Sequence, residues 1–279
     1  MSLVGPSRVA STLTTVALVS SILVACDNTT PSQTGATPST SQRATTPPGT
    51  DPRPKPATSP SVWQGVAEPW IAPVKAGSAL AALRVLAVRG RAPRTGYDRV
   101  LFGQGWADVD RNGCDTRNDV LRRDLTAYHL RAGTRGCLVL SGTLGDPYTA
   151  TTIAFRRGQS TSAKVQIDHV VALADAWQKG AQQWSTPRRT TFANDSLNLL
   201  AVDGLTNQRK SDGDAATWLP PNKRYRCSYA ARQVAVKAKY GLWVTSAERD
   251  AFARILAACP SQALPTAAAF TLGGGVGAG

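Results

Sequence analysis

The sequence contains few residues that could bind zinc. The 279-residue chain contains two histidines and five cysteines, and no two cysteines are separated by two residues. Because structural zinc sites need four Cys or His ligands at such short spacings, the composition argues against a zinc module. No internal repeat is visible either. The hydrophobic content of 42% is enough for one sizeable core or two small ones.

Acidic residues are also few. There are 18 Asp and Glu against 32 Lys and Arg, which gives a net charge of +14 at pH 7, and most of this charge lies after residue 61. Dense positive charge raises the local concentration of a polyanion such as a phosphate polymer, and also its association rate. A basic surface adapted to an anionic cell envelope would have the same composition, so charge alone leaves both interpretations open.

The N-terminal segment has the composition of a signal peptide. Residues 1–25 contain one charged residue, Arg8, followed by an apolar run that ends in Leu-Val-Ala before Cys26. This ending resembles the lipobox of bacterial lipoproteins, in which the cysteine sulfur is lipidated. Ordinary secretory cleavage and an uncleaved anchor are the alternatives. We therefore predict an extracellular lipoprotein anchored to the cell membrane, or else a fully secreted protein.

Two further segments lack the composition of a folded domain. The region 26–61 is dominated by Thr, Ser and Pro with almost no large hydrophobic residue, so it cannot bury enough apolar surface to offset its ordering entropy. The Ala- and Gly-rich region 263–279 is similarly predicted to be disordered. The folded domain is therefore predicted to cover 62–262, and the N-terminal segment would tether it to the membrane.

Four cysteines remain in the mature domain if Cys26 is lipidated. An even number of cysteines in an exported protein indicates disulfides. Three pairings are possible, and their order in the sequence favours Cys114–Cys137 and Cys227–Cys259.

Hydrophobic periodicity and turn residues predict an α+β domain. Helices are expected over 78–88, 117–125, 172–183, 187–193, from 205, over 225–240 and over 246–258, and strands over 136–140, 164–171 and 198–202. The last helix is expected to begin with a Ser246-x-x-Arg249 cap. His129 is expected at a helix edge, with a structural role. The seven tryptophans are predicted to lie in the core rather than to stack on nucleobases, including Trp106, Trp177, Trp184, Trp218 and Trp243.

Three polar positions follow one another on the predicted elements. Asp168 and His169 lie on one strand, the next strand starts at Asn198, and the following helix carries Asn207. Adjacent residues of a strand point to opposite sides, so both side chains reach one site only if the strand ends or bends there. The Asp168 carboxylate would then hold a hard cation while the His169 imidazole accepts a proton from a water molecule.

Three segments resemble the HNH endonuclease motif and the HNH domain of the RNA-guided CRISPR nucleases, namely IDHVVAL, NLLAV and NQRKSD. Over about residues 97–259 the chain is also similar to secreted HNH nucleases of Gram-positive actinobacteria, through DRVLFGQGWADVDRNGCDTRNDVL and DAATWLPPNKRYRC. The resemblance implies a ββα-metal core embedded in helices. It makes His169 the general base and Asn198 the residue that orients its imidazole. Asp168 and Asn207 would bind one divalent metal ion, Mg²⁺ or Mn²⁺. Asp and Asn replace the nominal histidines at these two positions, which favours hard cations over zinc or nickel.

The resemblance implies a metal-dependent endonuclease that cleaves DNA and leaves 5′-phosphate ends, with RNA left open as a substrate. Little sequence preference is expected, because no segment resembles a separate sequence-reading module. No protein partner is predicted. Two other functions fit a basic exported domain: a non-catalytic lipoprotein that captures extracellular DNA, and a cell-wall or polysaccharide-binding module.

Three basic residues near the motif are candidate phosphate ligands. Arg209 and Lys210 would either contact phosphate or form the solvated face of their helix. Arg117 would either clamp the scissile phosphate or form an ion pair with Asp115 or Asp119.

An acidic loop precedes Arg117. Asp108-x-Asp110-x-Asn112-Gly113 matches the first half of a calcium-binding loop, and Asp119 stands where a glutamate normally closes it. The missing glutamate and the adjacent Cys114 favour an Asx turn pinned by a disulfide over a calcium site.

Overall fold

A computed structural model of the chain describes residues 74–159 and 161–270. The predicted signal peptide, the lipidation site and the linker lie outside the described residues, so these assignments remain predictions. Within the described part, no helix has both the length and the apolar character needed to cross a membrane.

The described residues form a mixed α+β fold, as the sequence predicted. The helices are α1 (Ala79–Val85), α2 (Thr116–Asp124), α3 (Leu173–Gln178), α4 (Thr186–Ala193), α5 (Gly204–Lys210), α6 (Arg226–Tyr240) and α7 (Ser246–Ala257). The strands are β1 (Leu125–Leu130), β2 (Val139–Gly145), β3 (Thr152–Arg156), β4 (Val165–His169) and β5 (Leu199–Asp203).

The cap of α7 differs from the predicted one. The Thr245 side chain accepts a hydrogen bond from the backbone N–H of Glu248 at 3.2 Å, which makes Thr245 the N-cap residue. Thr-x-x-Glu is the spacing of a capping box. The predicted Ser246 cap is therefore wrong by one residue, because Ser246 is already helical.

Strands β1, β2 and β3 form an antiparallel sheet in that order. Only one strand was predicted in this region, and His129 was predicted at a helix edge. The position of His129 is wrong, because it is exposed on β1 and pairs with Ser141. Only the first residue of β1 is buried and only one residue of β3 is buried. Such strands lack the alternation from which a strand is recognised.

Strands β4 and β5 form a second, antiparallel sheet, and α5 follows β5 directly. Asp168 pairs with Leu200 and His169 with Leu199. Asp203, the last residue of β5, accepts a hydrogen bond from the N–H of Thr206 at 2.8 Å and so caps α5. The predicted order of strand, strand and helix is thus present, and β4 ends at His169, as the motif required.

Strand β5 is buried on both faces. Leu199 and Ala201 pack in an apolar cluster with residues of α2 and the three-stranded sheet. Leu200 and Val202 pack on the other side, in a cluster that contains Tyr148 and residues of α6. Burial of each large apolar side chain contributes roughly 1.5–3 kcal/mol, so this double packing holds β4 and α5 firmly in place.

Five charged side chains without solvent access join α3, α6 and α7. Lys179 Nζ contacts Asp175 at 2.6 Å, Asp214 at 2.8 Å and Glu248 at 2.7 Å. Lys237 Nζ contacts Asp175 at 3.1 Å and Glu248 at 3.0 Å. We refer to these five residues as the buried ion cluster. Because a buried charge is costly unless it is paired, the helices must pack in the arrangement that pairs all five.

Both predicted disulfides are present. Cys114–Cys137 ties the start of α2 to the start of β2, and Cys227–Cys259 ties the start of α6 to the chain after α7.

Residues 263–270, which the sequence analysis assigned to the disordered tail, are part of the described chain. Ser78 pairs with Ala263 in an isolated β-bridge. The guanidinium carbon of Arg232 lies 4.0 Å from the centre of the Phe270 ring. These contacts extend the packed structure to residue 270.

Candidate functional site

A polar cleft of about 450 Å³ opens at the end of β4. Of the predicted site residues, Asp168, His169, Asn207 and Arg117 line it. Its wall also contains residues that the sequence analysis did not assign to a site, including Arg94, Tyr97, Arg99, Trp106 and Gln166. We refer to this cavity as the central cleft. The fold therefore brings four separate segments of the chain to one place.

Asp168 is buried, and both of its carboxylate oxygens accept hydrogen bonds. Lys210 Nζ lies 2.9 Å from Oδ1, and the hydroxyl of Tyr148 donates to Oδ2 at 2.5 Å. Burial raises the pKa of Asp168, and Lys210 and Tyr148 act in the opposite direction. The pKa of Tyr148 is itself raised well above its usual value by burial and by Asp168, so its hydroxyl stays protonated and donates.

Lys210 does not occupy either of the positions that the sequence analysis considered. It is only 2% exposed, so it is not on a solvated face, and its ammonium group also contacts the carbonyl oxygen of His169 at 2.9 Å. Its position one helical turn after Asn207 directs it into the interior behind β4. Arg209, by contrast, is exposed on α5.

The imidazole of His169 is held by a backbone carbonyl. Its Nε2 lies 2.8 Å from the carbonyl oxygen of Ala193 at the end of α4. Since a carbonyl oxygen can only accept, Nε2 carries the proton and Nδ1 is the unprotonated nitrogen. Burial lowers the pKa of His169 to about 3, with Arg99 and Lys210 acting in the same direction. The ring is therefore neutral near pH 7.

Asn198 fixes the backbone that follows His169. It is fully buried, and its side-chain oxygen accepts from the N–H of Val171 at 2.8 Å, while its side-chain nitrogen donates to the Val171 carbonyl at 3.3 Å. Its own carbonyl accepts from the N–H of Val170 at 2.8 Å. The imidazole of His169 is hydrogen-bonded to Ala193 and not to Asn198. Asn198 therefore affects His169 only by fixing the backbone that follows it.

Replacing Asn198 by alanine is expected to lower the free energy of unfolding by about 2 kcal/mol, because both polar groups of the Val171 backbone lose a buried partner. Urea denaturation measures this change. Equal stability of the alanine variant and the unmodified protein would contradict this role.

Asn207 and Gln166 face each other on the cleft wall. Asn207 donates from Nδ2 to Oε1 of Gln166 at 2.9 Å. Gln166 lies two residues before Asp168 on β4, hence on the same side of the strand. The described residues contain no group of three or more His, Cys, Asp or Glu side chains placed to hold a metal ion. Any cation at this site would take its protein ligands from one carboxylate and amide oxygens.

Arg117 lies in the cleft without a carboxylate partner among the described residues. Asp115 caps α2 through the N–H of Asn118, and Asp119 accepts from Asn112. The alternative of an ion pair with either aspartate is therefore not seen. Burial lowers the pKa of Arg117, and Arg157 acts in the same direction.

The acidic loop is closed by its own backbone. Asp108 accepts hydrogen bonds from the N–H groups of Asn112 at 3.0 Å and Gly113 at 2.9 Å, and Asp110 accepts from Asn112 at 3.3 Å. Cys114 of the first disulfide follows directly. This is the geometry of Asx turns, the interpretation that the sequence favoured.

Comparison with known protein families identifies the chain. Residues 115–255 match the model of the C-terminal domain of GmrSD restriction endonucleases, and this range contains the β4, β5 and α5 elements of the central cleft. The protein belongs to the GmrSD C-terminal domain family. This HNH-type family confirms the resemblance that the sequence motifs indicated, and it indicates a nuclease-type function and endonuclease activity.

A secreted fungal protein is also similar to this member of the GmrSD C-terminal domain family. The relative comes from Arthroderma benhamiae, is called an uncharacterized secreted protein, and is 38% identical over 186 residues. The match covers 66% of this chain and 86% of the relative. No solved structure matches the chain.

Sequence reasoning missed several residues that shape this site. Gln166 was open to prediction, because it lies two residues before Asp168 on a strand. No sequence pattern indicated that Tyr148 contacts Asp168, since it lies 20 residues earlier, in the turn between β2 and β3. The core prediction holds fully for Trp177, which is buried. Trp106, Trp184 and Trp218 are half-buried and pack against apolar clusters, and of these three Trp106 also lines the cleft.

Proposed function

We propose that this protein is a metal-dependent endonuclease that hydrolyses phosphodiester bonds of DNA with little sequence preference. The observation that carries the proposal is the convergence of His169, Asp168, Asn207 and Arg117 on one polar cleft in a chain of the GmrSD C-terminal domain family. A protein that only captures DNA or cell-wall polymers needs no neutral imidazole beside a carboxylate.

His169 is the proposed general base. The hydrogen bond from Nε2 to Ala193 leaves Nδ1 free to accept a proton from a water molecule as its oxygen attacks phosphorus. Burial lowers the pKa of His169, so the ring is unprotonated near pH 7 and can accept a proton. Asn198 fixes the chain after His169 and thereby restricts the orientation of the ring.

The donor set fits Mg²⁺ or Mn²⁺. Asp168 and Asn207 supply oxygen ligands, which these hard cations prefer, and each carboxylate oxygen has a second lone pair beside the one used by Lys210 or Tyr148. When bound, such an ion would stabilise the charge that develops on the phosphate and on the departing 3′ oxygen, leaving 5′-phosphate ends. Lys210 neutralises Asp168, so the affinity for the ion is expected to be modest.

Arg117 is the proposed phosphate clamp. It is a cation on the cleft wall with no ion pair seen among the described residues, and its planar guanidinium can bind two phosphate oxygens at once. Arg209 is exposed on α5 and would contact the substrate at a distance from the cleft. Lys210 acts through Asp168 instead of binding phosphate directly.

We further propose that the protein works outside the cell, held by a lipid on Cys26 or released after secretory cleavage. The secreted relative and the two disulfides support export. Mass spectrometry of the mature N-terminus tests lipidation, and an unmodified Cys26 would contradict the anchor.

Removal of divalent metal is expected to abolish cleavage of plasmid DNA. The purified protein is incubated with supercoiled plasmid in Mg²⁺, in Mn²⁺ and in excess EDTA, and nicked and linear products are separated on a gel. We expect products with either metal, none with EDTA, and recovery when Mg²⁺ is restored in excess. Cleavage that persists in EDTA would contradict the metal site, and absence of cleavage under all conditions would contradict the proposed function.

A further inference from the structure

Trp106 occupies an unusual position for a tryptophan. It is half-buried, lies on the wall of the central cleft and also contacts the apolar cluster around β5. Core packing accounts for the buried part of this side chain, and the rest of the indole faces the polar, cationic cleft.

The backbone of Trp106 is strained but firmly held. Its φ is +62°, in the left-handed region that favours glycine, and a bulky residue there costs on the order of 1–3 kcal/mol. The carbonyl of Trp106 accepts a hydrogen bond from the N–H of Thr116 at 3.3 Å, and that of Ala107 accepts from the Thr116 hydroxyl. The first turn of α2 therefore holds the indole against the cleft, and such strain is typical of functional positions.

The indole ring is aligned with the catalytic imidazole. The planes of Trp106 and His169 differ by 17°, and the ring centres are 6.5 Å apart. This distance lies within the 4.5–7 Å range of aromatic pairs, so the imidazole is stacked loosely beside one face of the indole. The guanidinium carbon of Arg117 lies 5.9 Å from the centre of the same indole ring. One aromatic ring thus adjoins both the proposed base and the proposed phosphate clamp.

A second cavity of about 310 Å³ adjoins the central cleft, and Trp106, His169 and Arg99 line both. Asn194, only 2% exposed, also lines the second cavity, and its side-chain oxygen has no hydrogen-bond partner within the described residues. Trp106 therefore lies where two cavities meet, next to the position proposed for the cleaved phosphate.

We infer that Trp106 is a stacking platform for an unpaired nucleobase beside the cleaved phosphate, and that the preferred substrate is single-stranded or locally unpaired DNA. This inference rests on the proposed function. Stacking of a base on an aromatic side chain contributes roughly 1–3 kcal/mol. In a duplex the neighbouring base pairs already cover each base face, so only an unpaired base can use the indole without disrupting the helix.

The test compares a 20-nucleotide single strand with the duplex of the same sequence in Mg²⁺. The unmodified protein is expected to cleave the single strand with the higher kcat/KM. Trp106→Leu, which keeps an apolar side chain but no aromatic face, is expected to raise KM for the single strand by a factor roughly tenfold or more larger than its effect on KM for the duplex. Trp106→Phe retains a stacking face and is expected to recover most of the preference.

Trp243→Leu is the matched control. Trp243 is also half-buried and also lies near an arginine, with the Arg89 guanidinium carbon 5.4 Å from the ring centre, but its Nε1 donates to Gly90 away from the cleft. The single-strand preference should survive in this variant. Equal losses on single strand and duplex in Trp106→Leu would show that the indole only supports His169, and would overturn the inference.

A binding measurement separates this inference from the proposed function. In His169→Ala protein, a single strand containing 2-aminopurine reports stacking through quenching of its fluorescence, without any need for cleavage. We expect quenching in His169→Ala and its loss in His169→Ala/Trp106→Leu. Equal quenching in the two proteins overturns the stacking role, even where the unmodified protein cleaves DNA. Quenching by Trp106 in a protein that cleaves nothing supports stacking and contradicts only the nuclease.

Discussion

Replacing His169 by alanine is expected to slow metal-dependent DNA cleavage by roughly 10²–10⁴-fold, the usual contribution of a general base. The side chain supplies the nitrogen that accepts the proton of the attacking water, and no other described histidine lies in the cleft. The rate of plasmid nicking in Mg²⁺ measures the effect. Binding of DNA should change little, because the basic residues around the cleft remain.

His129→Ala is the matched control for this experiment. His129 is the other histidine of the chain, is exposed, and lies on β1. Its replacement should leave the nicking rate within about twofold, since a surface substitution away from the site changes stability by no more than about 0.5 kcal/mol. Undiminished cleavage by the His169→Ala variant would contradict the role of His169 as the general base.

Replacing Glu248 by glutamine is expected to lower the free energy of unfolding by about 3–5 kcal/mol, the usual cost of removing one partner from a buried ion pair. Glu248 has no solvent exposure and contacts Lys179 at 2.7 Å and Lys237 at 3.0 Å. Its loss leaves two buried lysines and Arg91, which contacts Asp175 and Asp214, with only these two carboxylates. Thermal unfolding measures the change, and a fall in Tm of about 10 °C is expected for a domain of this size.

Asp250→Asn provides the comparison on the same helix. Asp250 contacts Arg249 at 3.5 Å in a pair whose side chains are 28% and 27% exposed. Pairs with such access to water contribute at most about 1 kcal/mol, so Tm should fall by only a few degrees. Similar small shifts in both variants would mean that the buried ion cluster does not hold the helices together.

The buried ion cluster also predicts a loss of stability in acid. Lys237 and Lys179 lower the pKa of Asp175, and Lys179 and Arg91 lower that of Asp214, despite the opposing effect of burial. Because both values are lower in the folded chain than in the unfolded chain, their stabilising contribution is complete above about pH 4. It is lost as the pH falls through the folded-state values.

The sequence predicted the residues of the cleft better than their surroundings. Asp168, His169 and Asn207 line one cleft, as expected from a short motif and the order of its elements, and their catalytic roles remain proposals. The partners of Asp168 were not found, because nothing in the sequence reveals that Lys210 is buried or that a turn 20 residues away supplies Tyr148. Long-range packing decides such contacts, and local patterns do not report it.

The secondary structure, too, was predictable only where a local sequence pattern reports it. Strands β4 and β5 were predictable because apolar, β-branched residues concentrate in them, and α6 and α7 because their periodicity is long. Strands β1 and β3 were missed, since most of their side chains are exposed on both faces. The position of Trp106 follows from its attachment to Thr116, which no spacing in the sequence indicates.

The Cys114–Cys137 bond lies two residues from Thr116, where the loop that carries Trp106 is attached to the helix that carries Arg117. In a reducing cytosol these two cysteines would remain thiols. The free energy of unfolding would then be about 3 kcal/mol lower, and the lost cross-link lies at this wall of the cleft. Under the proposed function, a newly synthesised chain would therefore threaten the genome of its own producer less than the same chain would once oxidised outside the cell.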